Sequence, residues 1–202
     1  MVQQGKNIKN NFKDLGLREK IANQLAVSGY KQPTLVQKKV IPVILSGKDV
    51  VVESQTGTGK TAAFALPTIQ SLFCKNNKTK KKKIKILILT PTRELAEQVC
   101  ASYRRYGFNT GLKAMPVYGG ANIRLQIKHL KKGVDVISAT PGRLLDHIDR
   151  RTINLTAVET IILDEADRML DMGFVHDIRL ILAALPELTQ NILISATYSK
   201  EI

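Results

Sequence analysis

Five short runs constrain this chain most: Val50-Val51-Val52, Ile86-Leu87-Ile88-Leu89, Val134-Asp135-Val136-Ile137, Ile161-Ile162-Leu163 and Ile192-Leu193-Ile194. They are almost wholly apolar and do not alternate with polar residues. A sheet with one wet face alternates, so runs like these read as strands buried on both faces, as in a parallel sheet. Residues 112–117 form a weaker sixth candidate. Helical patterns fill the gaps at 60–73, 93–106, 121–131, 141–149, 167–172 and 175–184, and two more, 17–28 and 34–45, precede the first run. Gly29 stops one of these, and Pro33 suits the entry turn of the next. Pro67 is expected to kink the 60–73 helix or end it early, because proline has no N–H to give. Repeated strand–helix alternation predicts an α/β fold, a mostly parallel sheet with helices on both faces. The polar motifs mostly follow the predicted C-terminal ends of the strands, the edge along which open α/β sheets bind ligands.

The chain has 202 residues, 44% of them hydrophobic, which suits one globular domain or one with a small appendage. Its two cysteines, Cys74 and Cys100, form no CxxC pair and suggest reduced thiols. No apolar run approaches the ~18 residues that span a bilayer, and the polar start lacks a signal-peptide core. The expected setting is therefore cytoplasmic, with no membrane. The net charge is +14, and residues 75–85 carry seven lysines and no acid, so half of the excess sits in one stretch. What remains favours a polyanionic partner. The lysine run itself reads as a solvated loop, with a phosphate-backbone contact as the alternative.

The first apolar run leads into Ser54-Gln55-Thr56-Gly57-Thr58-Gly59-Lys60-Thr61 and then a helix. That is the setting of a phosphate-binding loop. Gly57 and Gly59 let the backbone curl so that N–H groups point inward, and the helix N-terminus adds partial positive charge. Lys60 reaches the β and γ phosphates, and Thr61 ligates Mg2+. The generic pattern GxxxxGK[ST] has glycine where this chain has Ser54. Downstream, Ile161-Ile162-Leu163 runs into Asp164-Glu165. Asp164 would hold Mg2+, partly through water, and Glu165 would orient or deprotonate an attacking water. Two adjacent acids are common at helix starts, but paired with the loop they point to hydrolysis.

The acids continue as Asp164-Glu165-Ala166-Asp167, and with SQTGTGKT the chain resembles the DEAD-box family of ATP-dependent RNA helicases. The other motifs of that family's first domain follow in order. Gly29-Tyr30-Lys31-Gln32-Pro33-Thr34-Leu35-Val36-Gln37 is similar to its Q motif, with Phe12 upstream. Pro91-Thr92-Arg93-Glu94-Leu95, Gly119-Gly120, Thr140-Pro141-Gly142-Arg143 and Ser195-Ala196-Thr197 complete the set, and Arg168-Met169-Leu170-Asp171-Met172-Gly173-Phe174 is also family-like. The resemblance runs from about Phe12 to the end of the chain. It implies a RecA-like P-loop NTPase domain at 33–202, led in by a segment and helix at 1–32. In the family's first domain Ser54 stands where a small non-glycine residue is common.

The resemblance assigns roles residue by residue. Gln37 would pair with an adenine edge, a geometry a carboxamide can make in two bonds, with Phe12 stacking on the base. Lys31 joins Ser54, Thr56, Gly57, Thr58, Gly59, Lys60 and Thr61 in the ATP site. Pro91, Thr92, Arg93, Gly119, Gly120, Thr140, Pro141, Gly142 and Arg143 would grip RNA sugar and phosphate with little sequence preference. Hydroxyls, guanidinium groups, glycine N–H groups and helix starts are the usual backbone ligands; helix caps and surface ion pairs are the structural alternative for the same residues. Asp167, Ser195 and Thr197 would couple the acids to domain closure. ATP and Mg2+ are the implied cofactors. RNA is the implied partner, together with a second RecA-like domain in cis and possible ribonucleoprotein partners. The short, plain start suggests a bacterial member.

The chain ends at Ile202, five residues past Thr197. We therefore expect the second domain, which carries the arginine finger, to be missing. Hydrolysis by this chain alone would then be down by roughly 10³-fold or more, with no unwinding. Three rivals remain. A DNA-directed motor of the same superfamily fits less well with Gln37 and the full acidic tetrad. A GTPase switch would need a guanine-reading NKxD, but Asn77-Lys78 runs into Thr79-Lys80. A non-catalytic RNA scaffold would not need Lys60, Asp164 and Glu165 intact.

Overall fold

The computed structural model describes residues 11–27, 29–55, 57–74, 82–108 and 110–197. In chain order these form a short 3-10 turn (Lys13–Leu15), α1 (Glu19–Val27), α2 (Leu35–Leu45), β1 (Val50–Glu53), α3 (Lys60–Cys74), β2 (Ile86–Leu89), α4 (Arg93–Tyr106), β3 (Ala114–Val117), α5 (Ile123–Lys131), β4 (Val136–Ala139), α6 (Pro141–Asp149), β5 (Thr160–Leu163), α7 (Ala166–Asp171), α8 (Val175–Ala183) and β6 (Gln190–Ser195). The strands make one sheet of order β1-β6-β5-β2-β4-β3, parallel at every pairing.

The unbroken apolar runs are explained by the pleat, which sends successive side chains to opposite faces. Ile86 and Ile88 of β2 join a core with Phe64, Ile69 and Tyr103, whereas Leu87 and Leu89 join a second core with Leu144, Met169 and Ile181. Phe12, Leu15, Leu17, Ile21 and Leu25 pack into the first core, so the segment before α2 is part of the same hydrophobic body.

Two expectations are corrected. The 50–52 run is not buried on both faces: Val52 is 6% exposed but Val51 is 64% exposed. β1 is an edge strand, and strand order is set by tertiary pairing. Pro67 does not end its helix, since α3 continues to Cys74. A proline inside a helix costs ~3 kcal/mol, but this one lies in a stretch buried from Ala62 to Gln70, where packing offsets that cost. Thr68 beside it donates its hydroxyl to Phe64 O (2.8 Å) and shares a 2.8 Å bond with the Tyr103 hydroxyl, tying α3 to α4. Pro116 marks the opposite edge, where β3 has a free side and no ladder bond is lost.

Candidate functional site

Ser54, Thr90, Tyr118, Thr140, Asp164 and Ala196 each follow the last residue of a strand, so the parallel sheet brings the motifs from the phosphate loop onward to one edge. Backbone bonds lock these ends in register. Ser54 N–H donates to Ser195 O (3.0 Å), Asp164 N–H to Leu89 O (3.0 Å), Thr90 N–H to Ala139 O (2.9 Å) and Thr140 N–H to Val117 O (3.0 Å).

The phosphate loop is internally braced. Ser54 and Thr58 share a hydroxyl bond of 2.6 Å, and Thr58 also donates to Gln55 O (2.9 Å). A glycine at 54 has no such hydroxyl, so the departure from the generic pattern supplies a staple. Lys60 is 9% exposed and its ammonium donates to Ser54 O at 2.8 Å. Thr61 sits one residue along, half-buried. Thr56 lies outside the described residues. Gly57 (φ +81°) and Gly59 (φ +89°) adopt left-handed conformations that favour glycine. At Gly59 a Cβ would also come within 2.5 Å of Gln37 Nε2, so a side chain there would displace the carboxamide from its bond to Gly59 O.

Gln37 does not present its carboxamide at the surface. It is fully buried, accepts from Thr34 N–H (2.9 Å) and donates to Gly59 O (3.1 Å). Its structural work is to close the capping box of α2 and to tie that helix to the phosphate loop. Phe12 also departs from expectation. It is 5% exposed, and its ring stands edge-on to Tyr30 at 6.4 Å within the core, so stacking on a base would require it to leave the core. Tyr30 in turn shares a 2.7 Å hydroxyl bond with Tyr106, and the Arg105 guanidinium lies 5.0 Å from the Tyr106 ring centre. This aromatic clamp between the Q-motif segment and α4 was not anticipated. Lys31 is exposed.

Asp164 is 3% exposed. Burial pushes its carboxyl up to about 6, against the pull of nearby Lys60 and with a further push from Glu165. A carboxyl that holds its proton more tightly when folded stabilises the fold below about pH 4 and loses that contribution as pH rises through about 6. Asp164→Asn is therefore expected to be more stable than wild type at pH 7 by about 1–3 kcal/mol. Urea midpoints at pH 7 and pH 4 check this, and the difference should vanish at the lower pH. An Asn variant no more stable at pH 7 would show that the buried charge carries no such cost.

Glu165 adopts φ 54° and ψ 52°, one of two described non-glycine residues with positive φ. Strain of this kind at a non-glycine residue costs about 1–3 kcal/mol and persists where the surroundings enforce it. Its carboxylate lies 3.5 Å from the Arg168 guanidinium. Asp167 accepts from Ala196 N–H (3.0 Å), Thr197 N–H (3.1 Å) and the Thr197 hydroxyl (3.3 Å), while its own N–H donates to the Ser195 hydroxyl (3.2 Å). Burial pushes the Asp167 carboxyl up, but the N–H groups of Arg168, Thr197 and Ala196 outweigh it and hold it below the usual range.

The remaining motif residues divide into two groups. Arg93, Gly119, Gly120 and Gly142 are exposed, Thr140 is half-exposed and makes no capping bond, and Arg93 pairs only with its neighbour Glu94 among the described residues. Thr92 instead caps α4, accepting from Leu95 N–H, and Pro91 and Pro141 are buried. Arg143 turns inward as well, donating to Ala121 O (2.9 Å) and to Gln126 Oε1 (3.2 Å). Gln126 is buried, accepts a 2.9 Å bond from His147 Nε2 and donates to Tyr118 O (3.1 Å). It thus joins the loop holding Gly119-Gly120 to the start of α6. Gln126 was not singled out from sequence, although it falls on the stripe Ile123, Ile127, Leu130 that turns one side of α5 inward.

A parallel sheet with a lysine-bearing glycine loop after its first strand and an acidic pair after its fifth defines a P-loop nucleotide-binding domain of RecA-like fold. The DEAD/DEAH box helicase family model matches residues 34–202, and the chain belongs to that family. It is 46% identical over 186 residues to the ATP-dependent RNA helicase CshA of Listeria monocytogenes, covering 92% of this chain and 35% of that protein. It is 44% identical over 191 residues to the RNA helicase CrhR of Synechocystis, covering 95% and 38%. Among solved structures, a DEAD box protein from Methanococcus jannaschii superposes with TM-score 0.87 at 43% identity, covering 95% of this chain and 51% of that one. A hypothetical ATP-dependent RNA helicase from Sulfolobus tokodaii gives 0.83 at 41%, covering 92% and 53%. The chain thus spans little more than a third of these curated relatives and about half of these solved chains. RNA helicases, not DNA-directed motors, are what it is similar to.

Proposed function

We propose that this chain is the ATP-binding half of an ATP-dependent RNA helicase, binding adenine nucleotide and part of an RNA backbone and needing a second RecA-like domain to unwind. The observation that carries this reading is the bonded unit at the strand ends. Ser54 of the phosphate loop is tied to Ser195, and the Ser195-Ala196-Thr197 segment is clasped by Asp167 of the acidic tetrad. These bonds are the route by which a change at the phosphates would reach Ser195-Ala196-Thr197.

In this reading Lys60 leaves Ser54 O for the β and γ phosphates, where a charge-assisted bond is stronger. Asp164 and Thr61 offer the hard oxygen donors that Mg2+ accepts beside nucleotide phosphates; bound there, the ion neutralises phosphate charge. Among the described residues no cluster of three or more metal-ligating side chains occurs, which suits an ion held mainly by substrate and water. Glu165, its backbone fixed at the strand end, orients the attacking water. Gln37 is poised to exchange its bond to Gly59 O for an adenine edge, which would link base recognition to loop position. Arg93, Gly119, Gly120, Thr140 and Gly142 supply the exposed backbone-binding set, while Thr92, Pro91, Pro141 and Arg143 shape it. Among the described residues no helix is long and apolar enough to cross a membrane. A cytoplasmic setting fits two free cysteines, exposed Cys74 and buried Cys100, whose thiol burial pushes up to about 12, and ribonucleoprotein partners would follow from the RNA reading.

Competition against a fluorescent ADP tests the nucleotide reading. ATP is expected to displace it about tenfold to a hundredfold better than GTP, the worth of a two-bond base contact. Equal displacement by the two would remove adenine recognition from the proposal.

A further inference from the structure

Edge strand β3 and helix α5 enclose a groove of about 440 Å³. One end lies at Tyr118, Ala121 and Asn122, around Gly119-Gly120. The other lies at Lys113 and Lys132, on the opposite edge of the sheet. Its apolar lining includes Met115, Pro116 and Leu125, the last 54% exposed, and no acid lines it. A second cavity of about 290 Å³ shares Val134 with the first and is lined by Lys82, Lys83, Lys131, Thr152, Asn154 and Thr156, again without an acid.

Two carboxylates beside this rim are already held by cations. Asp135 is buried, takes the Lys82 ammonium and accepts from Lys113 N–H (2.8 Å). Glu159 pairs with Lys85 at 2.6 Å. The exposed charges that line the two cavities beyond these pairs are cationic and include Lys113, Lys132, Lys83 and Lys131, while Glu97, exposed beside the Gly119-Gly120 end, accepts the Tyr118 hydroxyl at 2.6 Å. An added peptide strand is disfavoured here, since Pro116 offers no N–H to pair with it. A flexible polyanion needs no such ladder.

Resting on the RNA reading above, we propose that this groove and lysine rim form a second RNA track, which carries the sugar-phosphate backbone beyond Gly119-Gly120 along β3 to the far edge of the sheet. Binding there is sequence-independent and independent of nucleotide, because no base-reading or phosphate-loop residue lines it. The apolar lining takes ribose and base faces while the lysines take phosphates. Of the described end of the lysine-rich 75–85 stretch, Lys82 and Lys85 are held by Asp135 and Glu159, and exposed Lys83 joins this rim.

The test is anisotropy of this chain with a short and a long homopolymeric single-stranded RNA across a salt series. The comparison is between wild type, the triple variant Lys83→Ala/Lys113→Ala/Lys132→Ala, and Arg93→Ala. All four positions are exposed, and unchanged melting temperatures confirm the folds. For the long RNA, the triple variant is expected to lower the slope of log K against log salt by about 2, a loss of roughly tenfold to a hundredfold near 0.1 M salt. The short RNA should be weakened chiefly by Arg93→Ala. A triple variant that binds long RNA with wild-type affinity and slope overturns the track, even if Arg93→Ala still weakens the short RNA. If wild type binds neither RNA, the RNA reading itself falls and the track falls with it.

Discussion

Lys60→Ala is expected to lower ATP affinity by about 10²–10⁴-fold. Lys60 is already buried, at 9% exposure, with its ammonium held within the loop by Ser54 O. It therefore needs little further desolvation to meet the phosphates. Each charged hydrogen bond lost there is worth about 1.5–3 kcal/mol, and two are at stake. The variant has a second signature. Lys60 is the cation that pulls the Asp164 carboxyl down, so without it Asp164 titrates still higher. Titration calorimetry with ATP and Mg2+ gives the affinity, and a Kd within threefold of wild type would falsify the role given to Lys60.

Glu165→Gln is expected to separate binding from chemistry. Its carboxylate sits at the end of β5, on a left-handed backbone, with Arg168 as its only ion-pair partner among the described residues, at 3.5 Å. Gln keeps the shape and can still hydrogen-bond, but it cannot accept a proton. Nucleotide affinity should stay within about threefold, while single-turnover hydrolysis falls by about 10²–10⁴-fold, the usual worth of a positioned base. Hydrolysis at the wild-type rate would move water activation to another residue.

Both predictions rest on residues legible in the sequence, and the reason is local. A phosphate loop is one contiguous segment between a strand and a helix, and Asp164-Glu165 follows an apolar run directly. Strands announced themselves because both faces of a central strand are buried. Ala114–Val117 was the weakest, as its proline and its edge position dilute the pattern. Other features were hidden because they depend on partners distant in sequence. Gln37 is spent on Gly59, twenty-two residues away, and Arg143 on Ala121 and Gln126. Thr92 and Arg143 carry side chains suited to RNA, yet the fold uses one as a cap and the other as an internal brace. Residue type alone cannot distinguish the two uses.

The sequence by itself determined the α/β class, the phosphate loop, the acidic tetrad and the family, since each is written in short segments whose spacing the backbone periodicity fixes. Tertiary structure decided which strands lie at the edges, that Pro67 stays inside its helix, and which motif side chains face outward. It also joined Ser54 to Ser195 and Asp167 to Thr197, and it left an acid-free groove beside β3. Those outcomes turn on strand order and on competition for hydrogen bonds among groups that only the folded sheet brings together. Burial then makes each unpaired polar group costly, so the pairing that wins is the one the packed core can satisfy.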